Sequence, residues 1–250
     1  MRKYGLLGKR LDYSFSKSFF EDKFEREQLE ASYENIELDT LEEVRRVISD
    51  KELSGFNVTI PYKQSMIPFL DDISTEAREV GAVNTVLIQD GGWIGFNTDI
   101  HGFRQSIKPF LTNKHERALI LGTGGAAKAV EFVLKGIGLD VSFLSSSREG
   151  KQIYSYDQVN HYMLEAHKLI VNCTPLGTFP DVEAKPPIEL DGIGADHLLI
   201  DLIYNPEETL LLKEAKELGA TTLNGLSMLK EQALQSWKIW NSSEPETSLN

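Results

Sequence analysis

An apolar run, Ala118 to Leu121, meets a helix-compatible stretch, Ala126 to Lys135, across a turn made almost wholly of glycine. Gly122, Gly124 and Ala127 fall in the spacing G-x-G-x-x-A. In a dinucleotide-binding turn each position has a physical task. The first glycine permits the tight turn from strand to helix, and the second lets backbone approach a pyrophosphate. The small third residue lets the helix pack on the strand. The unbonded N–H groups of the helix's first turn then face the phosphates, and the helix dipole favours their charge. An ordinary glycine-rich strand-to-helix turn would share the spacing. The strand before it and the helix after it favour nucleotide binding.

From Ala118 onward, strand-like and helix-like segments alternate. The expected strands are Ala118 to Leu121, Val141 to Leu144, Leu169 to Asn172, Leu198 to Leu202 and Thr221 to Leu223. Alternation of this kind implies an α/β fold with a parallel sheet and right-handed crossovers. Pro206 suits a helix's first turn, so a helix is expected over Glu207 to Leu218. A last helix is expected over 226–240. Its recurring Leu226, Leu229, Ala233, Trp237 and Trp240 read as core, with Gln232 off that stripe.

Charge sharpens the reading of the turn. The 250 residues carry a formal net charge of −12, which argues against nucleic acid as a partner. An anionic cofactor then needs local positive charge or N–H donors. An NAD site would place Asp or Glu about 20 residues beyond the glycines. Here the second strand runs into Ser145-Ser146-Ser147-Arg148. Hydroxyls and a guanidinium suit a 2′-phosphate, so NADP is expected over NAD. Glu149 stands next door, and Lys128 or Lys151 could supply the charge instead. The single Cys173 suits a cytoplasmic, disulfide-free protein and reads as a small buried residue without a base beside it. Five scattered histidines offer no metal-ligand spacing. No apolar run is long enough to span a membrane. Met1 to Gly8 reads as a first strand, its apolar stretch broken by glycines.

The first hundred residues carry a second set of signals. Tyr4 to Leu7 reads as a buried strand, Lys17 to Leu29 as a helix, Ile36 to Leu38 as a strand and Leu41 to Ser49 as a helix. In Gly55 to Lys63, Phe56, Val58 and Ile60 share one face. Asn57 and Thr59 project together from the other, and Lys63 follows just beyond the strand end. A solvated sheet face and a surface lysine would give the same pattern. Ser74 reads as a helix N-cap and Gly81 as its stop. Asp90-Gly91-Gly92 marks a hairpin between Thr85 to Gln89 and Trp93 to Phe96. That hairpin opens from Asn84 and closes on Asn97-Thr98-Asp99, bringing polar side chains to one rim. Asp99 precedes an expected helix, Ile100 to Ile107, and suits its N-cap. The proline-bearing segment 108–116 reads as a boundary.

Several of these stretches, in this order, resemble the shikimate dehydrogenase family. They are Ser14-Phe15-Ser16, Asn57-Val58-Thr59-Ile60-Pro61-Tyr62-Lys63, Gly81-Ala82-Val83-Asn84-Thr85, Asn97-Thr98-Asp99 and Gly122-Thr123-Gly124-Gly125-Ala126. Asn172 to Gly177, Asp201 to Pro206 and Gly225 through Gln232 complete the set. The resemblance implies an N-terminal α/β substrate domain over 1–103, completed by the helix 226–240. A Rossmann-like NADP-binding domain follows over 104–225, and 241–250 is a tail. It implies reversible hydride transfer between NADPH and 3-dehydroshikimate, giving shikimate, with Lys63 and Asp99 as the catalytic pair. Ser14, Ser16, Asn57, Thr59, Asn84, Tyr204 and Gln232 would bind substrate. Gly122, Gly124, Gly125, Ala126, Ala127, Ser146, Arg148, Thr174, Leu202 and Gly225 would hold the cofactor. A cytoplasmic monomer or homodimer with no membrane or nucleic-acid partner is expected.

The chain also departs from the family pattern. Tyr13 and Lys17 stand where histidine and proline are usual, and Ile100 where glycine is common. Ser145 to Arg148 replaces the usual Asn-Arg-Thr. Competing readings are a quinate or quinate/shikimate dehydrogenase, a non-catalytic NADP-binding regulator, and a methylene-tetrahydrofolate dehydrogenase. Intact Lys63 and Asp99 disfavour the regulator, and Ser14, Ser16 and the Asn97 block disfavour the folate enzyme.

Overall fold

The computed structural model describes residues 1–11 and 15–242. The chain divides into two compact units, Met1–His101 with Lys230–Asn250, and Gly102–Leu229.

The first unit runs β1 (Arg2–Gly8), α1 (Phe15–Arg26), β2 (Ala31–Glu37), α2 (Val44–Asp50), β3 (Gly55–Val58), β4 (Asp72–Ile73), α3 (Thr75–Val80), β5 (Thr85–Gln89) and β6 (Gly92–Phe96). The helix α4 (Thr98–Ile107) begins there. The strands lie in the order β2-β1-β3-β5-β6-β4. β2, β1 and β3 are parallel, and β5 turns antiparallel to β3 and β6. The buried run of β1 fits its place inside the sheet between β2 and β3, since both sheet faces are covered there. Leu7, Phe56, Val58 and Val86 join Val44 and Ile48 of α2 in one core. Tyr4, Leu6 and Tyr33 join Phe20 and Phe24 of α1 and Trp240 in another.

The second unit continues β7 (Arg117–Leu121), α5 (Gly125–Gly136), β8 (Asp140–Leu144), β9 (Ile153–Tyr154), α6 (His161–Ala166), β10 (Leu169–Asn172), β11 (Leu198–Asp201), α7 (Leu210–Glu217) and β12 (Thr221–Leu223). Its strand order is β12-β11-β10-β7-β8-β9, with every pair parallel. The chain starts at β7, moves out through β8 and β9, and returns to β10 on the other side of β7. The loops after β7 and β10 therefore leave neighbouring strands in opposite directions, the switch point where open α/β sheets bind ligands. α8 (Leu226–Asn241) follows, and most of it belongs to the first unit. The Trp240 indole N–H donates to Val86 O at 3.0 Å. Truncating so buried an aromatic costs about 3–5 kcal/mol, which anchors the end of α8 to β5.

Local expectations hold at several places. Ser74 Oγ accepts from Ala77 N, and Gly81 adopts φ 68° to end α3. Asp90 and Gly91 carry positive φ between β5 and β6, as a tight primed turn requires. Trp240 is buried core, and Trp237 packs partly buried against the same aromatic cluster.

Other elements differ. β2 begins at Ala31, because it pairs with β1 along its whole length from Arg2–Ala31 to Gly8–Glu37. As an edge strand it carries the polar residues Ser32, Glu34 and Asn35, which mask its pattern in the sequence. α7 opens at Leu210 rather than after Pro206. Thr209 caps it, its hydroxyl accepting from Leu212 N and donating to the buried Asp201 carboxylate. Asp99 is not the cap of α4. Asn97 Oδ1 takes that place, accepting from Ile100 N at 3.4 Å, and leaves the Asp99 carboxylate for other work.

Candidate active site

β3 positions the first group of polar side chains. Phe56 and Val58 point into the α2 core, so Asn57 points to the opposite face. That face is not solvated. It carries Tyr33 of β2, Thr85 of β5 and Ser236 of α8, all buried. The Tyr33 hydroxyl donates to Asn57 Oδ1 at 2.8 Å. The Asn57 amide donates to Ser236 Oγ at 2.9 Å, Thr85 Oγ1 at 3.0 Å and Asn84 O at 3.2 Å. Two amide hydrogens thus serve three protein acceptors. Asn57, expected at the substrate, has no donor left for it.

Asn84, at the start of β5, is 3 % exposed. Its Oδ1 accepts from Thr98 N at 2.7 Å and Thr98 Oγ1 at 3.1 Å, and its amide donates to Gln232 Oε1 at 3.1 Å. A backbone N–H can only donate, so Thr98 N fixes which end of Asn84 is oxygen. The nitrogen end then faces Gln232, whose oxygen must answer it. One Asn84 N–H and the Gln232 amide group remain without a hydrogen-bond partner among the described residues.

Lys63 sits beyond β3, after a turn closed by Tyr62 N to Thr59 O at 2.9 Å. Its carbonyl accepts from Val83 N at 2.7 Å, tying it to the segment that carries Asn84. The Lys63 ammonium donates to Asp99 Oδ2 at 2.7 Å. The Asp99 side chain is 5 % exposed and that of Lys63 22 %. Asp99 lies in the first turn of α4, whose positive dipole end favours a negative charge. One face of the lysine is therefore open while its partner is sheltered. Thr59 is half-buried beside the pair's loop. Ser16 lies in α1, and burial pushes the Tyr33 pKa upward, a rise that a Ser16 side-chain interaction opposes. Ser14 lies outside the described residues, as do Tyr13 and most of the expected tail.

The second unit presents backbone instead. The N-terminus of α5 is capped by Gly124 without any side-chain hydrogen bond, and no acidic residue stands in its first turn. A Cβ on Gly124 or Gly125 would meet nothing within 4 Å. Open space lined by the first N–H groups of a twelve-residue helix fits a pyrophosphate. Gly122 differs, with φ 96° and Thr174 Cγ2 only 3.0 Å from where its Cβ would be. Thr174 is held there by Asn172 Oδ1, which accepts from Thr174 N and Oγ1 at 3.0 and 2.7 Å.

Beyond β8, Ser145 is buried, and its Oγ accepts from Ser147 N and Arg148 N at 3.3 and 3.0 Å. Ser145 thus folds the turn, while Ser146 and Arg148 are exposed. They line an open hollow of about 780 Å³ with Glu149, Ser155 and Gln158. Hydroxyls and one guanidinium in a hollow of this size fit a phosphate, despite the neighbouring carboxylate.

The strand ends after β10 and β11 are fastened by Asp201. Its carboxylate accepts from Asn172 Nδ2, Ile203 N and Thr209 Oγ1. Burial raises its pKa against those hydrogen bonds. A Cβ at Gly225 would lie 2.1 Å from Leu202 O, so only glycine permits that crossing. Tyr204 is half-buried and its pKa is raised by burial. Burial, then the Asp201 charge, pushes the Cys173 thiol up, which makes it a poor nucleophile.

Tyr33, Thr85, Thr98 and Ser236 were missed as contributors to the site. Thr85 and Thr98 adjoin Asn84 and Asp99 in the sequence, and Ser236 stands one helical turn after Gln232. Tyr33 gave no signal beyond an aromatic residue in an edge strand.

Residues 6–86 match the family model of the shikimate dehydrogenase substrate binding domain. The shikimate dehydrogenase (NADP(+)) of Staphylococcus epidermidis is 36 % identical over 254 aligned positions, covering 98 % of this chain and 94 % of that protein. That of Methanococcus aeolicus is 35 % identical, with 98 % and 94 % covered. The structure of the Thermus thermophilus shikimate 5-dehydrogenase in complex with NADP(H) and shikimate superposes with a TM-score of 0.86. It is 31 % identical and covers 99 % of this chain and 96 % of that one.

Proposed function

The chain belongs to the shikimate dehydrogenase family, and from that membership we propose that Lys63 and Asp99 form the catalytic pair of its NADP-dependent dehydrogenase activity. The reaction is the reversible reduction of 3-dehydroshikimate to shikimate. The observation that carries the proposal is the 2.7 Å contact between the ammonium of the partly exposed Lys63 and the sheltered Asp99 carboxylate. As a ketone becomes an alkoxide, its oxygen needs a proton. A lysine held by a carboxylate polarises that carbonyl and supplies the proton from the pair.

NADPH supplies the hydride. The bare first turn of α5, with Gly122, Gly124, Gly125, Ala126 and Ala127, would hold its pyrophosphate. Ser146 and Arg148 would hold the 2′-phosphate. Thr174, Leu202 and Gly225 shape the strand ends at the switch point. Asn84 and Gln232 offer their unbonded N–H groups to substrate oxygens. Thr59, Ser14, Ser16 and Tyr204 complete the substrate contacts. In this reading residues 1–103 with α8 form the substrate domain and 104–225 the cofactor domain. A single cysteine supports a cytoplasmic setting, and a monomer or homodimer is the assembly we assign.

The test is to mix the protein with shikimate and NADP and follow absorbance of the reduced nicotinamide, with NAD and quinate in parallel. Rapid reduction with shikimate and NADP alone is expected. Reduction with quinate would move the chain to the broader-specificity enzymes. NADP binding without reduction of any kind would leave a regulator and overturn the proposal.

A further inference from the structure

A hydroxyl stands where the core should be. α8 buries Met228, Ala233, Ile239 and Trp240, and among them Ser236 is 1 % exposed. Burying a hydroxyl without partners costs more than burying a methyl, so its partners decide why it is tolerated. Ser236 Oγ donates to Gln232 O at 3.0 Å, one turn back along α8. Its only proton is thereby engaged. The Asn57 amide donates to it at 2.9 Å, and the Thr85 hydroxyl shares a hydrogen bond with it at 2.8 Å. Thr98 Oγ1 lies 3.3 Å away. One buried oxygen thus joins α8 to β3, β5 and the first turn of α4.

We propose that Ser236 is a positioning residue for the substrate site. It holds the turn of α8 that carries Gln232 against Asn84, with the Gln232 amide nitrogen turned outward as a donor. Asn57 acts through the same contact. With Tyr33 on its oxygen and Ser236 and Thr85 on its nitrogen, it orders the network and does not touch substrate. This inference rests on the assignment of Asn84 and Gln232 to the substrate.

The test uses the full chain with Ser236→Ala, Thr85→Val and the double variant, assayed with shikimate and NADP beside melting temperatures. Ser236→Ala is expected to raise KM for shikimate about tenfold, the scale of one lost buried hydrogen bond. Turnover and KM for NADP stay within about twofold. Thr85→Val, which keeps the side-chain shape, moves KM for shikimate the same way. The double variant adds less than the product of the two, because both remove one shared contact. Shikimate affinity by calorimetry, without cofactor, follows the same order.

Unmoved KM for shikimate in both single variants would overturn the inference. So would a multiplicative double variant, or a rise in both KM values that tracks lost melting temperature. A wild-type protein that turns over shikimate while the variants match it overturns the Ser236 role alone. A wild-type protein that neither binds nor oxidises shikimate overturns the substrate assignment, and the inference with it.

Discussion

In the unit formed by Met1–His101 and Lys230–Asn250, the candidate site is a set of side chains already bonded to one another. In the unit Gly102–Leu229, it is strand-end backbone kept bare of side chains. A polyol of fixed stereochemistry is told apart by donors and acceptors placed one by one, and a pre-bonded network fixes their polarity. A pyrophosphate needs only N–H groups and room, so any added side chain is an obstruction. Variants in the two units should therefore fail in different kinetic constants.

The largest effect is expected at Lys63. Lys63→Ala should lower turnover by about 10²- to 10⁴-fold, the range for a positioned acid, with KM for NADP within about twofold. It also leaves the buried Asp99 carboxylate without its counter-charge, at about 3–5 kcal/mol. Calorimetric melting beside the assay separates the two losses. Near-native turnover would remove Lys63 from the chemistry and erase the contrast between the units.

Arg148→Ala should raise KM for NADP by about 10- to 100-fold, as loss of a charge-assisted phosphate contact does. KM for shikimate and activity with NAD should hold. An unchanged preference for NADP would hand the role to Lys128 or Lys151. Gly122→Ala comes next. It places a Cβ 3.0 Å from Thr174 in a left-handed backbone conformation, costing about 1–2 kcal/mol. KM for NADP should rise about tenfold while shikimate binding by calorimetry stays unaltered.

The smallest effect separates the units by pH. Burial lowers the pKa values of His115, His167 and His197, all in the second unit. A histidine whose folded pKa lies below its unfolded value adds stability above the unfolded pKa near 6.5. That stability is lost as pH falls through the folded value. Hydrogen exchange between pH 7 and 5 should therefore show segments of the second unit losing protection before β1, β3 and β5. Equal loss in both units would refute the assignment.

The same contrast governs what the sequence discloses. The turn after β7 was legible because glycine spacing, strand and helix lie within a few residues. So was the β5–β6 hairpin, whereas the pairing of Lys63 with Asp99 came only through the family resemblance, since the two lie 36 residues apart. The Asn57–Ser236 contact joins residues 179 apart, and no local pattern marks it. Asn57 could be read as a polar residue on a sheet face, but the helix covering that face is the last one in the chain. Asp99, expected in the catalytic pair, also suits a helix cap by its place in the sequence, because carboxylates favour that position. Asn97 won it through backbone geometry, which spacing alone does not resolve. Pro206 misled for a similar reason. The Thr209 hydroxyl is drawn to a buried carboxylate eight residues upstream, and α7 starts from there.

β1 and most of α8 belong to one unit though they are far apart in sequence, and this sets an order on how that unit is made. During synthesis, β1 through β6 emerge early but wait for Gln232, Ser236 and Trp240 until the whole of Gly102–Leu229 has left the ribosome. The strand-end backbone of that unit is complete by then. On the proposed site assignments, a nascent chain stopped short of α8 would hold its glycine turn and lack Gln232, the proposed substrate donor. On that assignment, hydride transfer would report that translation has run through α8.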